Sequence, residues 1–114
     1  MAHTILVVGG EPPANEQLTQ ALARNGFAVQ SAGDGVSGLY QLMASRPELV
    51  IVDIEDWETV KRMRRVSSVP IIALAPDDGA SGLKSLASGA DYYVLKPPAM
   101  GELCAKVRAS LRRM

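Results

Sequence analysis

The sequence predicts an α/β protein in which a parallel five-stranded sheet lies between two layers of helices. Short β-branched, apolar runs alternate five times with longer segments whose apolar residues recur at helical spacing. Three of the runs, ILVV, LVIV and IIAL, are apolar throughout, as expected for parallel strands covered on both faces. Because right-handed βα units build one open sheet, we expect one domain over residues 1–114.

The predicted elements follow one another with short connections. The strands are expected at Thr4–Val8, Phe27–Ala32, Leu49–Asp53, Ile71–Leu74 and Tyr92–Leu95. Each helix between or after them is predicted from an apolar face that would be buried on the sheet: Leu18 and Leu22; Val36, Leu39, Leu42 and Met43; Val60, Met63 and Val66; Leu83, Leu86 and Ala87; Leu103, Val107 and Leu111. On the third helix, a basic run is interpreted as a solvated face: Lys61, Arg62, Arg64 and Arg65.

Composition narrows the function classes. Twelve Lys and Arg residues balance twelve Asp and Glu residues, so we expect no direct binding of nucleic acid or of a membrane by this domain. The one cysteine excludes an internal disulfide and a cysteine-based metal cluster. The first apolar run lacks a basic leader and is too short to cross a membrane. We therefore expect a cytoplasmic domain.

The candidate site lies beyond the carboxyl ends of the strands, where open parallel sheets bind their ligands. Asp53 ends the run LVIVD, and a carboxylate at the tip of a buried strand needs a partner. Lys96, which directly follows the fifth strand, is the candidate partner. The alternative is that Asp53 only caps the next helix and that Lys96 is a solvated loop lysine. The first strand differs from the third and fifth strands, because it is followed by Gly9 and Gly10, which offer no side chain to a site.

Four segments, ILVV…EPP, LVIVD, VPIIAL and GADYYVLKP, resemble the receiver domain of bacterial two-component response regulators, and the resemblance covers essentially the whole chain. It implies a flavodoxin-like (βα)5 three-layer sandwich with strand order 2-1-3-4-5. The last helix, ELCAKVRASLRRM, most resembles the subfamily whose receivers precede a winged-helix DNA-binding domain. The chain would then form the N-terminal part of a longer response regulator or stand as a separate domain.

The resemblance assigns roles to three positions. In the family, a histidine kinase passes a phosphoryl group to the aspartate that matches Asp53, and the lysine that matches Lys96 contacts that group. An acidic pair after the first strand helps to hold Mg²⁺, and a Ser or Thr after the fourth strand hydrogen-bonds the phosphoryl oxygen. The aromatic residue that matches Tyr93 changes rotamer and alters the face that partners use.

This sequence departs from the family pattern in three places. The acidic pair falls on Gly9 and Gly10, the hydroxyl residue falls on Ala75, and the loop after Asp53 is shorter than usual. Mg²⁺ prefers near-octahedral oxygen ligation with one or two carboxylates, so we expect no bound Mg²⁺. Losing ~4 kcal/mol of metal stabilisation slows phosphoryl transfer about 10³-fold.

Two further expectations follow from these departures. Glu11 and Glu55 are nearby carboxylates that would recruit Mg²⁺ if Asp53 still accepts a phosphoryl group, although we expect Glu11 to stay in its loop. Because Ala75 leaves open the space into which the family's aromatic residue moves, we expect Tyr93 to lie inward without phosphorylation.

Three functions remain open. The first is a divergent pseudo-receiver in phosphorelay signalling that contacts a sensor histidine kinase or an effector domain without phosphorylation. It would dimerise through helix 4, strand 5 and helix 5, where Tyr92 and Gly82 replace charged residues of the resembling subfamily. The second is a working phosphoacceptor with an atypical Mg²⁺ site. The third is a small-molecule or nucleotide-binding module, although GGEPP lacks the G-x-G-x-x-G spacing. An enzyme is not expected, because no second acid/base or nucleophile pair is evident.

Overall fold

Five strands alternate with five helices in the computed structural model, which describes residues 3–53, 56–76 and 79–112. The strands are β1 (Thr4–Gly9), β2 (Ala28–Ala32), β3 (Leu49–Asp53), β4 (Ile71–Ala75) and β5 (Tyr92–Leu95). The helices are α1 (Pro12–Arg24), α2 (Gly35–Ser45), α3 (Trp57–Val66), α4 (Ala80–Ser88) and α5 (Met100–Arg112). Every predicted strand is present, with ends that differ by no more than one residue from those expected. None of the helices in these ranges combines the length and apolar content that a membrane crossing needs.

The strands pair in the order β2-β1-β3-β4-β5, and every pairing is parallel. The predicted fold class and strand order are therefore confirmed. In the register of β1 and β3, Gly9 lies opposite Asp53, and in the register of β4 and β5, Ala75 lies opposite Leu95. The sheet thus brings the ends of these strands to one edge, which we call the carboxyl edge.

Alternation along the central strands divides the core into two clusters. Successive side chains of a strand point to opposite faces, so Val7 and Ile51 lie on one face while Val8 and Val52 lie on the other. The first face packs against buried residues of α1 and α5: Leu18, Leu22, Leu103, Cys104, Val107 and Leu111. The second packs against residues of α2 and α3: Leu42, Val60 and Met63. Coverage of both faces explains why these strands are apolar without interruption.

The predicted apolar face of α2 is only partly correct. Leu42 is buried, but Val36 and Met43 are 66% and 47% exposed. The helix instead turns Gly38 to the sheet, where a Cβ would lie 2.7 Å from a methyl group of Val8. Such close backbone approach favours a residue without a side chain at that position. On α3, Val60 and Met63 are buried as predicted, whereas Val66 at its end is half exposed.

The predicted face of α4 is wrong. Leu83 and Leu86 are 66% and 38% exposed, and Ala87 is exposed as well. The buried residues of α4 are small: Ser81, Gly82, Ser85 and Ser88. The physical reason is that the ring of Tyr93 from β5 lies against this face of the helix, so bulky side chains on α4 point away from the sheet.

Arg64 also departs from its interpretation as part of a solvated basic face. Its guanidinium donates through Nε and Nη2 to the Gly89 carbonyl, at 3.0 and 2.9 Å, and through Nη1 to the Val69 carbonyl at 2.9 Å. It also donates to Asp91 Oδ2 at 2.7 Å, and the same oxygen accepts from the Ile71 amide at 2.8 Å. A planar group with five N–H donors can satisfy several acceptors at once. Arg64 therefore ties together α3, the end of α4 and the starts of β4 and β5.

Candidate functional site

Asp53 and Lys96 meet at the carboxyl edge, as the sequence predicts. The Lys96 Nζ donates to Asp53 Oδ1 at 2.8 Å, with the aspartate side chain 13% exposed and the lysine 42%. The lysine charge compensates a carboxylate that is largely removed from water. The helix-cap alternative for Asp53 is wrong, because Asp56 caps α3.

The cap itself is well formed. Asp56 Oδ1 accepts from the Thr59 amide at 3.3 Å and Oδ2 accepts from the Thr59 hydroxyl at 2.7 Å. The hydroxyl hydrogen bond is the main reason that the pKa of Asp56 lies below its ordinary value. Asp56 is thus committed to the start of α3, where an acidic N-cap residue satisfies amide donors that have no partner in the helix.

Gly9 and Gly10 bring bare backbone against Asp53. Both have positive φ angles, +82° and +95°. A Cβ at Gly10 would lie 3.1 Å from Asp53 Oδ2, and the Gly9 carbonyl accepts from Asn15 Nδ2 at 2.8 Å. Residues with a side chain rarely adopt this conformation, and forcing one into it costs about 1–2 kcal/mol. The two glycines therefore set a backbone path that an acidic pair would not readily follow.

The remaining carboxylate candidates do not complete a metal site in the described parts of the chain. Glu11 is exposed before α1, where its side chain makes no capping hydrogen bond. Glu55 lies outside the described residues. Within those residues, no group of three or more His, Cys, Asp or Glu side chains is arranged to hold a metal ion. One carboxylate already paired with a lysine does not fit the octahedral oxygen set that Mg²⁺ requires.

An open cleft of about 650 Å³ runs from this pair toward the space between α1 and α5. Gly10, Asp53 and Lys96 line its polar end, and Glu11 also lines it. The rest of its lining is mostly apolar: Ala14, Leu18, Leu74, Pro97, Pro98 and Met100. The site is thus a neutral ion pair beside an apolar cleft.

Ala75 at the end of β4 and Tyr93 on β5 lie on the two strands that follow β3, which carries Asp53, in the order of the sheet. Ala75 is fully buried, and its carbonyl accepts from the Lys96 amide at 2.8 Å. Tyr93 is half-buried and lies inward against α4, where a Cβ on Gly82 would be 2.5 Å from the ring atom Cε1. The sequence predicts Gly82 on the dimer face but does not predict its contact with Tyr93. A glycine inside a helical segment was the available signal, since such glycines often mark close packing.

The surface built by α4, β5 and α5 carries exposed apolar side chains. Leu83, Leu86 and Leu95 are exposed, and Leu95 ends the β5 strand. Tyr92 lies on the α5 side of the same strand, with Lys106 Nζ 5.7 Å from its ring centroid, within the range of a cation–π contact. We call the three leucines and these two residues the α4–β5–α5 surface.

The fold and the site together define a class: an open parallel α/β domain with a paired aspartate and lysine at its carboxyl edge. The family model described as the response regulator receiver domain matches residues 5–108. The chain belongs to the response regulator receiver domain family, which is the receiver part of two-component signalling proteins.

Individual relatives agree with this assignment. The chain is 39% identical over 115 residues to the transcriptional activator protein IrlR of Burkholderia pseudomallei, covering 96% of this chain and 50% of the relative. It is 40% identical over 119 residues to the DNA-binding response regulator MtrA of Mycolicibacterium smegmatis, covering 99% of this chain and 52% of the relative. The chain thus spans about half the length of these curated relatives.

Solved structures match over nearly the full chain. A two-component response regulator from Clostridium difficile has a TM-score of 0.90 and 28% sequence identity, covering 98% of each chain. A response regulator from Chloroflexus aurantiacus has a TM-score of 0.93 and 26% identity, covering 98% of this chain and 99% of that chain. The link to a winged-helix subfamily stays a prediction from the last helix.

Proposed function

We propose that this receiver domain signals through protein contacts that do not depend on phosphorylation of Asp53. One observation carries the proposal: Gly9 and Gly10, both at positive φ, stand where the family has an acidic pair, and their backbone lies directly against Asp53. The backbone path, as well as the missing carboxylates, disfavours a metal site there. Asp53 is left with Lys96 as its partner.

Electrostatics supports the same proposal. Asp53 and Lys96 sum to a formal charge of zero, whereas two additional carboxylates would make the pocket about −2 and attractive to a divalent cation. Without a cation, the charge that develops on a transferring phosphoryl group lacks its main stabiliser. Phosphoryl transfer to Asp53 is then lost or very slow.

The contacts in this proposal are made by the α4–β5–α5 surface. Its leucines stay exposed, and the half-buried Tyr92 adds apolar area at a position where the resembling subfamily carries an acid. Asp91 is already held by Arg64 within the chain, which weakens a charged pairing between copies. The partner is an effector domain, a sensor histidine kinase or a second copy of the receiver, held by apolar contact.

The relatives suggest the wider setting. IrlR is named as a transcriptional activator and MtrA as a DNA-binding response regulator. By this similarity, the whole protein would be a cytoplasmic transcriptional regulator, with this domain as its N-terminal, receiver part. The receiver itself would contact proteins and would leave DNA to a separate domain, since its formal charge is balanced.

A second candidate function is a working phosphoacceptor. Glu11 lines the same cleft as Asp53, so a movement of the loop would bring a second oxygen donor toward the aspartate. In that case Mg²⁺ would bind in the cleft and Asp53 would be modified. The same cleft is also what a small-molecule-binding function would use, with its apolar lining as the main contact area.

One experiment separates these functions. Mg²⁺ is titrated while the fluorescence of Trp57, the chain's one tryptophan, is followed. Acetyl phosphate is then added and the intact mass is measured, with Asp53→Asn as the matched control. We expect no saturable fluorescence change and no phosphoryl adduct. Saturable Mg²⁺ binding together with an adduct that Asp53→Asn abolishes would establish the phosphoacceptor instead. A small molecule that copurifies with the domain and is detected by native mass spectrometry would favour the small-molecule-binding function of the cleft.

A further inference from the structure

We infer that Gly82 is the positioning residue that holds Tyr93 inward and thereby fixes the surface that α4 presents. The inference deepens the proposed function and rests on it, because a fixed surface is what phosphorylation-independent contact requires. It concerns a slot between α4 and β4, bounded by Gly82 on the helix and by Ala73 on the strand.

The ring of Tyr93 fills the volume that a side chain on Gly82 would need. A Cβ at this position would lie 2.5, 2.6 and 2.8 Å from the ring atoms Cε1, Cδ1 and Cζ. Non-bonded carbon atoms do not come this close, since their optimal separation is about 3.5–4.0 Å. Any other residue at position 82 would therefore force either the ring out of the slot or α4 away from the sheet.

Hydrogen bonding fixes the helix backbone at the same point. Ser85 is fully buried, and its hydroxyl donates to the Gly82 carbonyl at 2.6 Å. One turn further on, the Ser88 hydroxyl donates to the Lys84 carbonyl at 2.8 Å. These small side chains turn their polar atoms back onto the helix, which leaves a low surface on which an aromatic ring can lie.

The sheet leaves room for the ring from the other side. Ala73 pairs with Tyr93 in the register of β4 and β5, and both belong to the same core cluster. Ala75, two residues further along β4, points to the same face and is fully buried. Small residues on β4 and a glycine on α4 together accommodate one large ring.

The consequence reaches the α4–β5–α5 surface. With Tyr93 between the sheet and the buried face of α4, the helix must present Leu83 and Leu86 outward, beside Leu95 of β5. The ring's position depends on shape rather than on any group at Asp53. Gly82 thus sets the apolar surface that a partner meets.

A double-mutant cycle tests this role. Gly82→Ala is measured by urea unfolding in the natural chain and in the Tyr93→Val variant, which lacks the ring and keeps a strand-forming residue. We expect Gly82→Ala to lower the urea midpoint when Tyr93 is present. In the Tyr93→Val background it should leave the midpoint unchanged or raise it, because alanine favours helix over glycine. Equal effects in the two backgrounds would overturn the inference. If Gly82→Ala alone does not fold, recovery of folding in the double variant supports the inference, and failure to recover contradicts it.

The ring is also observed directly. The tyrosines are replaced by 3-fluorotyrosine, and their ¹⁹F resonances are assigned with Phe variants. We expect Gly82→Ala to move the Tyr93 resonance toward its solvent-exposed value, while the exposed Tyr40 serves as internal reference. The matched control is Gly101→Ala on α5, where an added Cβ meets nothing within 4 Å and should leave Tyr93 unchanged. A folded Gly82→Ala chain with an unmoved Tyr93 resonance would refute the role.

Neither measurement uses a phosphodonor or a partner. If the double-mutant cycle showed no coupling between Gly82 and Tyr93, the proposal that Asp53 does not react with a phosphodonor would still stand. Conversely, a phosphoryl adduct on Asp53 would overturn the proposed function without moving the ring of Tyr93 in the untreated chain. The two proposals can therefore fail separately.

Discussion

Charged side chains have different hydrogen-bond partners at the amino-terminal edge and at the carboxyl edge of the sheet. At the amino-terminal edge, Arg64 donates to several backbone carbonyls and to Asp91, which also accepts from the backbone of β4. At the carboxyl edge, among the described residues, Lys96 is the side chain that pairs with the buried end of Asp53, beside an open cleft. Within the parts of the chain that the structure describes, Arg64 thus belongs to a network of several hydrogen bonds, whereas Asp53 and Lys96 form an isolated ion pair.

The difference indicates where stability and where function reside. A side chain that satisfies backbone groups from several elements holds those elements in place, and its loss leaves each acceptor without a partner. An ion pair at an open cleft contributes less to folding and stays accessible to partners. At the carboxyl edge, Gly9 and Gly10 have positive φ angles beside Asp53, where the family carries its acidic pair.

The largest expected effect lies at the amino-terminal edge. Arg64→Ala should reduce the free energy of unfolding by about 3 kcal/mol, since it removes the donor of the Gly89 and Val69 carbonyls and leaves Asp91 with the Ile71 amide alone. The matched control is Arg65→Ala, at the exposed next position of α3, with an expected change within about 0.5 kcal/mol. Urea unfolding measures both variants. Equal losses from the two arginines would remove the distinction between the edges.

The next effect is expected from restoring the acidic pair. Gly9→Asp with Gly10→Asp should destabilise the chain by about 2–3 kcal/mol, because each aspartate would have to adopt a positive φ angle. Gly33→Ala, where an added Cβ meets no atom within 4 Å, is the control and should be nearly neutral. Thermal unfolding with and without Mg²⁺ checks the prediction. A double variant as stable as the natural chain, and further stabilised by Mg²⁺, would show that only side chains were missing.

A smaller effect of opposite sign is expected on α5. Ser110 is buried, and its Oγ is the one buried side-chain polar atom of the described residues that lacks a hydrogen-bond partner. Ser110→Ala should therefore raise the free energy of unfolding by about 1 kcal/mol. Ser85→Ala is the matched comparison, since its hydroxyl is bonded to Gly82 and its loss should not stabilise. Stabilisation by both substitutions would mean that the hydrogen bond of Ser85 contributes nothing.

The smallest expected effect is in the pH dependence of stability. Hydrogen bonding to Thr59 lowers the pKa of Asp56 in the folded chain from its ordinary value of 3.8. The resulting stabilisation is complete above that ordinary value and is lost as pH falls through the lowered folded pKa. Asp56→Asn keeps a good N-cap residue but does not titrate, so its stability should fall less steeply in acid. Chemical unfolding between neutral pH and about pH 3 measures the slopes, and parallel curves would contradict the assignment.

The strands and the ion pair could be predicted because their signals are local. Continuous apolar runs mark the strands, and Asp53 and Lys96 follow two of them directly, so parallel topology alone brings the two side chains together. The buried face of α4 could not be predicted in this way. Its leucines recur at helical spacing, which predicts that they face the sheet. The spacing does not reveal that Tyr93, on the following strand, packs against the face of α4 that carries Gly82.

The contacts of Arg64 and the backbone path of Gly10 also depend on tertiary structure and could not be predicted from local sequence. Nothing in the basic run of α3 distinguishes Arg64 from its neighbours until Gly89, Val69 and Asp91 are placed around it. The identity of Gly10 showed a missing carboxylate, but its positive φ angle and its approach to Asp53 emerge only from the folded backbone. Both are contacts between segments far apart in the chain.

The most direct test of phosphorylation-independent signalling is an amide ¹H–¹⁵N spectrum of the domain, recorded before and after addition of Mg²⁺ and beryllofluoride. We expect the resonances of Asp53, Lys96 and Tyr93 to keep their positions up to millimolar concentrations of both reagents. Saturable shifts at these residues that disappear in Asp53→Asn would show a working phosphoryl site and would contradict phosphorylation-independent signalling.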